Sequence, residues 1–421
     1  MSQHLSIGEI LKSKRGEKYR IQSHLDSGGQ GSVYSANCEK TGSDVVVKTY
    51  HQGQDEALAR KRIEALIRAD LSSRYPGLAT PTALIEKPML AHVAPRVGEA
   101  SLDELLQNGS IKSLQDRIVV AAALARQVEG LEDSDIIHGD LNPENVRIDQ
   151  APDGIQGVFL IDFDNANGKT LPVSHAFGSP LSMPPEARLA MKHKASFAPT
   201  FESDRYSLAL LIHETITLRN PCQLEMNQNQ PDRFFEVMEQ SQWTADPAND
   251  ASLHHSLGGL PSASICGSLY RLFKSGLTGR PDERPSARKW REALSATVSE
   301  VIVCPACVAE SILNPGRGEC HWCGTDFPML SFEFQGKKTL IDRNGIVIGR
   351  KQLGGSNKVS TRHAIFRRIG PETFVEPIGS NPTKRVLPNG RVIDLKNGTR
   401  YALSTGDKLR LGDGELKIRS L

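Results

Sequence analysis

The chain has 421 residues, enough for roughly two to four domains. Its formal charge of +2 gives no bulk attraction to nucleic acid or to a membrane surface, so neither is expected as a partner. Its apolar content of 38% is that of a globular protein, and no apolar run approaches the ~20 residues of a membrane span.

Taken in chain order, the start Met1-Ser2-Gln3-His4-Leu5 lacks the charged and apolar stretches of a signal peptide. A cytoplasmic location is therefore expected. Ser32-Val33-Tyr34-Ser35 and Asp44-Val45-Val46-Val47-Lys48 predict strands. Between Leu25 and Tyr34 the chain is rich in glycine, which lets backbone N–H groups approach phosphates closely. Asp55 to Leu71 predicts a helix, with Leu58, Ile63, Leu66, Ile67 and Leu71 on helical spacing. Asp116 to Leu131 predicts another, apolar on one broad face. Tyr206 to Thr217 is apolar nearly all round, as a buried helix is. Residues Asn227 to Gly259 are polar without apolar spacing and predict long loops. From Leu330 onward, short β-branched runs are broken by Gly, Asn, Asp and Pro, as in Gly345-Ile346-Val347-Ile348, Thr373-Phe374-Val375-Glu376 and Glu415-Leu416-Lys417-Ile418. They predict an all-β sandwich.

The strongest chemical signal is Ile137-His138-Gly139-Asp140-Leu141-Asn142-Pro143-Glu144-Asn145-Val146, followed by Leu160-Ile161-Asp162-Phe163-Asp164. It spaces an Asp, an Asn and a second Asp as phosphoryl transfer from Mg·ATP requires. Asp140 can orient an attacking hydroxyl. Asn145 and Asp162 offer oxygen donors, which suit the hard magnesium ion. Lys48, on a strand just after the glycine loop, can reach the α- and β-phosphates.

Seven cysteines are present, and four form the pairs Cys304-Pro305-Ala306-Cys307 and Cys320-His321-Trp322-Cys323. Two such steps in an unexported chain point to thiolates on metal rather than to disulfides. Four sulfurs would close a tetrahedral shell around a structural zinc ion. Such an ion would contribute folding energy to a segment too short to bury a core. A redox pair or free thiols are the alternative.

Residues Tyr19 to Val298 resemble the eukaryotic-like Ser/Thr protein kinase family. The resemblance implies a bilobal fold, ATP and Mg2+ as cofactors, and protein substrates. It places Gly28, Gly29, Gly31 and Val33 at the nucleotide and makes Asp140 catalytic, with Lys48 on the phosphates and Asn145 and Asp162 on magnesium. It pairs Glu64 with Lys48, with Glu56 as a second choice. Gly178 to Glu186 resembles the end of an activation segment, Ser203 to Leu208 the start of the central helix, and Asp282 to Ser286 the partner of Glu186. A buried Glu186–Arg284 ion pair is implied, with Asp204 bracing the catalytic loop. Four positions depart from the family pattern: Asp26 for the first loop glycine, Gly139 for Arg, Asn142 for Lys, and Asp164 for the glycine after Phe163. Without an Arg at 139, activity should not depend strictly on activation-segment phosphorylation. Autophosphorylation is expected at Thr170, Ser174 or Ser179. His138-Gly139-Asp140-Leu141 also resembles aminoglycoside and choline phosphotransferases, so a small-molecule kinase and an inactive scaffold stay open.

The cysteine segment, about 301–327, resembles a zinc ribbon. Residues 330–421 resemble the forkhead-associated domain, through Gly349-Arg350, Ser360-Thr361-Arg362-His363, Gly379-Ser380-Asn381-Pro382-Thr383 and Gly406-Asp407. That resemblance implies a reader of phosphothreonine-containing proteins. Arg350 and Ser360 would contact phosphate, Arg362 would assist, and Asn381 would hold the peptide backbone. His363 would brace the loop. Phosphate-independent packing is the alternative. The whole is a multidomain α+β chain: a protein kinase-like domain over 19–298, the ribbon over 301–327 and the sandwich over 330–421. A metal-dependent protein phosphatase is an expected counterpart.

Overall fold

The computed structural model describes residues 4–51, 55–152, 154–175, 177–222, 231–244, 246, 265, 267–298, 300–304, 306–312, 320–325, 330–341, 345–369 and 372–420. The chain divides into two compact units, residues 1–262 with 267–295, and residues 296–421 with 263–266.

The first unit opens with an antiparallel sheet of six strands: β1 Ile10–Lys12, β2 Lys18–Ser27, β3 Gly31–Cys38, β4 Asp44–Tyr50, β5 Ala83–Ile85 and β6 Ala91–Pro95, in the order β1-β2-β3-β4-β6-β5. Tyr19, Ile21, Tyr34, Ala36, Val47 and Val93 form its core with Leu5 and Leu11. The unit therefore begins before Tyr19, because β1 pairs with β2 and buries Leu11. Helix α1 spans Glu56–Ala69, capped by Asp55, whose carboxylate accepts from Leu58 N. Its buried side holds Arg62, Ile63, Ala65 and Leu66.

Helices follow: α2 Leu71–Arg74, α3 Leu102–Gln107, α4 Leu114–Glu132, α5 Pro185–Lys192, α6 Phe201–Thr217, α7 Pro231–Glu239, α8 Gly267–Thr278 and α9 Ala287–Val298. Ser113 caps α4 through Asp116 N. α6 is the buried helix that its composition predicts; all its residues from Tyr206 to Thr217 except Glu214 are buried. α7 corrects the expectation of loops over 227–259. Phe234, Phe235, Val237 and Met238 supply its apolar spacing, too short a run to register in a polar stretch, and Arg188 lies 4.6 Å from the Phe235 ring. Most of the rest of 227–259 lies outside the described residues.

In the second unit, Val301–Val303 pairs with Glu310–Ile312 as a small hairpin beside the four cysteines. All further described regular elements there are strands, in sheets of six and four. Leu409, Leu411, Leu416 and Ile418 of one sheet share a core with Ala364, Phe366 and Val375 of the other, and Phe332 and Phe366 meet at 5.3 Å. Alternate residues point inward, as a sandwich requires. The cysteine segment is grouped with this β region rather than standing as a separate body.

Candidate active site

The catalytic loop is built on a buried carboxylate. Asp204, in the first turn of α6, accepts His138 N at 2.6 Å and Gly139 N at 3.0 Å. Gly139 has φ +77°, and a Cβ there would lie 2.7 Å from Asn165 O. Hence the family's Arg has no room at this position. The His138 ring lies 4.9 Å from that of buried Phe163, and its Nε2 lies 3.0 Å from Ile161 O. This packing joins the two motifs.

Asp140 is held through one oxygen. Its Oδ1 accepts Ser179 N at 2.7 Å and Asn142 Nδ2 at 3.0 Å. Oδ2 has no protein partner among the described residues. Asn142 also caps the short turn Pro143–Asn145, its Oδ1 accepting Glu144 N and Asn145 N. The residue standing where the family has Lys thus orients Asp140. Asn145 donates Nδ2 to Asp140 O at 2.9 Å, which leaves its own Oδ1 without a protein donor among the described residues. Asp162 has φ +60°, a strained conformation for a non-glycine residue, and such strain concentrates at functional sites. Two oxygen donors, Asn145 Oδ1 and the Asp162 carboxylate, form the set a hard cation takes.

Lys48 lies on β4 directly opposite Val33 of β3, so both side chains share one sheet face. Its Nζ is 2.8 Å from Asp162 Oδ1 and 2.7 Å from Asp164 Oδ2. Burial works against its charge, but Asp164 and Asp162 hold its pKa above that of a free lysine. Around Gly28 and Gly29 an added Cβ would meet nothing within 4 Å. Packing does not demand glycine there, and the open space suits a phosphate chain lying against the backbone. Gly31 differs, since a Cβ would strike Thr49 O at 1.7 Å. Asp26 is exposed at the loop's edge, bonded to Ser27 N.

Glu64 is the correction. It meets Lys14 at 3.0 Å on the surface, not Lys48. Lys14 lies ahead of Tyr19, outside the stretch in which the motifs fall. Glu56 is exposed as well. Glu186 and Arg284 form the expected pair, at 2.7 and 2.9 Å. Of the three expected acceptors between Asp162 and Glu186, Thr170 is exposed, Ser174 is buried, and Ser179 is tied to Asp140 through its backbone.

The four cysteine sulfurs lie within 4.8 Å of one another. Cys304–Cys323 and Cys307–Cys320 are 3.6 and 3.7 Å apart. Zn–S bonds of about 2.3 Å in a tetrahedron put sulfurs about 3.8 Å apart, so the set fits such an ion. Buried Ile302 packs on it with Trp322, whose Nε1 donates to Glu310 O.

In the sandwich, Ser360, Arg350 and Asn381 come together. Arg350 N donates to Ser360 O at 2.9 Å, and Asn381 N donates to Ser360 Oγ at 3.1 Å. Arg350 Nε donates to Val359 O at 3.0 Å. Arg362 is exposed, and no described contact joins it to the other three. His363 is wholly buried; its Nδ1 accepts Ser360 N, and its Nε2 lies 3.1 Å from Thr383 Oγ1. Asn397 was not anticipated. Its amide donates to Gly379 O, and Asn397-Gly398-Thr399 was the available sequence signal.

Residues 19–294 match the protein kinase domain. Among curated relatives, a probable serine/threonine-protein kinase of Clostridium perfringens is 24% identical over half of this chain and 30% of its own length. Serine/threonine-protein kinase pkn2 of Myxococcus xanthus is 24% identical over 48% of this chain and 25% of its own. Serine/threonine-protein kinase PknA of Mycobacterium tuberculosis is 27% identical over 48% of each. The chain thus spans less than half the length of these relatives. Among the described residues no helix is long and apolar enough to cross a membrane. With the domain matched over most of the first unit and its catalytic loop, Lys48 strand and Glu186–Arg284 pair in place, the chain belongs to the protein kinase family.

Proposed function

We propose that the chain transfers the γ-phosphate of ATP to Ser or Thr hydroxyls of proteins, and that its β-sandwich reads phosphothreonine. The observation that carries the first part is Asp140, held by Asn142 and Ser179 with one oxygen left open, beside Asn145 and Asp162. Asp140 Oδ2 orients the acceptor hydroxyl and receives its proton as the bond to phosphorus forms. Lys48 and the glycine-loop amides hold the phosphates in line. Magnesium, when bound at Asn145 and Asp162, offsets charge developing on the transferred group. The names of the relatives support protein over small-molecule acceptors, and so does the bidentate Glu186–Arg284 pair that fixes the segment next to Asp140.

The four cysteines are read as a structural zinc site, with no open position for water. Arg350, Ser360 and Asn381 are read as the phosphate and backbone contacts of the reader, with Arg362 beside them. Substrates, phosphothreonine-bearing partners, a counteracting metal-dependent phosphatase and a cytoplasmic setting belong to this reading. The test is incubation with labelled ATP and Mg2+ plus protein acceptors. Label that appears with the natural chain and vanishes with Asp162→Ala supports transfer. Equal label in both, or label only on an added sugar or amine, overturns it.

A further inference from the structure

A nucleotide-binding lysine needs a carboxylate that stays with it once Asp162 turns to the cation. The α1 helix does not offer one. Glu64 lies two positions from Arg62, about 200° around a helix of 100° per residue. Arg62, Ile63 and Leu66 occupy the inward side, with Ile63 packed on Leu84 and Leu90. Bringing Glu64 inward would require turning α1 by about half a revolution and exposing that apolar cluster. A simple inward shift of the helix does not suffice.

Asp164 fills the position instead. Its Oδ2 lies 2.7 Å from Lys48 Nζ, with its side chain 10% exposed. Its Oδ1 accepts the Tyr50 hydroxyl at 2.7 Å. Tyr50 has one proton, spent on Asp164, so the 2.9 Å contact with His92 is a bond from imidazole Nδ1–H to the phenol oxygen. The neutral imidazole tautomer is thereby fixed. Buried Arg62 donates Nε to Ala166 O at 3.1 Å, and its charge and that of Asp164 attract. Asp164 thus takes a hydrogen bond from Tyr50 and an ion pair from Lys48, both on β4.

We propose that Asp164 is the positioning residue for Lys48, so that alignment of the lysine does not depend on a carboxylate from α1. The catalytic consequence rests on the kinase reading above; the structural role does not. The test is acetylation of the nucleotide-free full chain by a lysine-reactive ester, read at Lys48 by peptide mass spectrometry, with exposed Lys169 as internal control. Asp164→Asn keeps the shape and removes the charge. It is expected to raise the Lys48 rate by about 10-fold, with Lys169 unchanged. Tyr50→Phe, which keeps the ring, is expected to give a smaller rise in the same direction, and Glu64→Gln none. Where labelled ATP shows transfer, Asp164→Asn should also lower kcat/KM for ATP by about 10-fold. A chain that transfers no phosphate removes the kinase reading, yet the acetylation ratio still decides the role of Asp164. Equal Lys48 rates in the natural chain and Asp164→Asn, or a rise with Glu64→Gln, would overturn the proposal.

Discussion

Arg284 and Glu186 stand 98 residues apart in sequence and close a two-point ion pair at 2.7 and 2.9 Å. The arginine side chain is 2% exposed, donates to Glu202 O and lies 5.2 Å from the Tyr206 ring. The glutamate is 30% exposed. The two halves should therefore respond unequally to removal. Glu186→Ala strands a buried guanidinium and should destabilise the first unit by about 2–3 kcal/mol. Arg284→Met leaves a carboxylate that water can reach and should cost less. Denaturant unfolding of both variants checks the order, and the reverse order counts against the account.

Gly139 carries a second expectation. Its positive φ and the 2.7 Å approach of a backbone oxygen to any Cβ leave no relaxation by side-chain movement. Restoring the family residue with Gly139→Arg should abolish phosphate transfer and destabilise the unit by about 2 kcal/mol or more. Thermal melting and labelled-ATP assays read the two effects. A stable, more active variant refutes it.

Much of the site was legible because short motifs fix backbone shape locally. Within the run from His138 to Asn145, Asn142 and Asn145 bond the loop's own backbone and Asp140. The spacing of the motif therefore sets much of its shape, while Asp204 and Ser179 complete it from distant positions. The Glu64 assignment failed because it depended on rotation of a helix, which is set by packing among distant residues. Ile63 facing Leu84 and Leu90 decides that rotation, and sequence order does not reveal it. Lys14 and the strand Ile10–Lys12 were missed for a similar reason, since three residues on an edge carry too little pattern to register. In the sandwich, β-branched alternation revealed the strands. The bond from Asn397 to Gly379, however, is formed across loops separated by 18 residues.

His92 predicts a pH response. Burial pushes its imidazole down to about 4, against the attraction of Asp164. In the unfolded chain its pKa is ~6.5. Below that value the unfolded chain takes up a proton that the folded chain refuses. The contribution is complete above about pH 6.5 and is lost as pH falls toward 4, with a ceiling of about 3 kcal/mol. His92→Gln should flatten the stability profile of the first unit between these limits. Unfolding curves across that range test it, and an unchanged slope would contradict it.

The four-cysteine cluster predicts about one zinc per chain. Cys304 and Cys320 are buried against Ile302, so the metal would hold the small core together. Cys304→Ser should lose the zinc and expose the Val301–Val303 hairpin to protease, while Cys38→Ser, at a buried thiol outside the cluster, should keep the metal. Atomic absorption on the purified proteins, with limited proteolysis, separates the outcomes. A metal-free natural chain of unchanged protease resistance would sink the zinc assignment.

The end of the sandwich carries the last prediction. Ser360 Oγ already accepts Asn381 N at 3.1 Å, so its hydroxyl proton remains available for a phosphate oxygen. Arg350 is anchored by Nε to Val359 O, which leaves the outer nitrogens of its fork facing away from that bond. A charged donor on phosphate contributes more than a neutral one. Arg350→Ala should therefore weaken binding of a phosphothreonine peptide by about 10-fold or more, and Ser360→Ala by somewhat less. His363→Ala acts differently. It removes the acceptor of Ser360 N and the contact with Thr383, so it should lower stability and binding together. Fluorescence anisotropy with phosphorylated and unphosphorylated forms of one peptide, alongside melting curves, distinguishes these patterns. Equal affinity for the two peptide forms would leave the sandwich as a packing module and remove the reader from the proposed function.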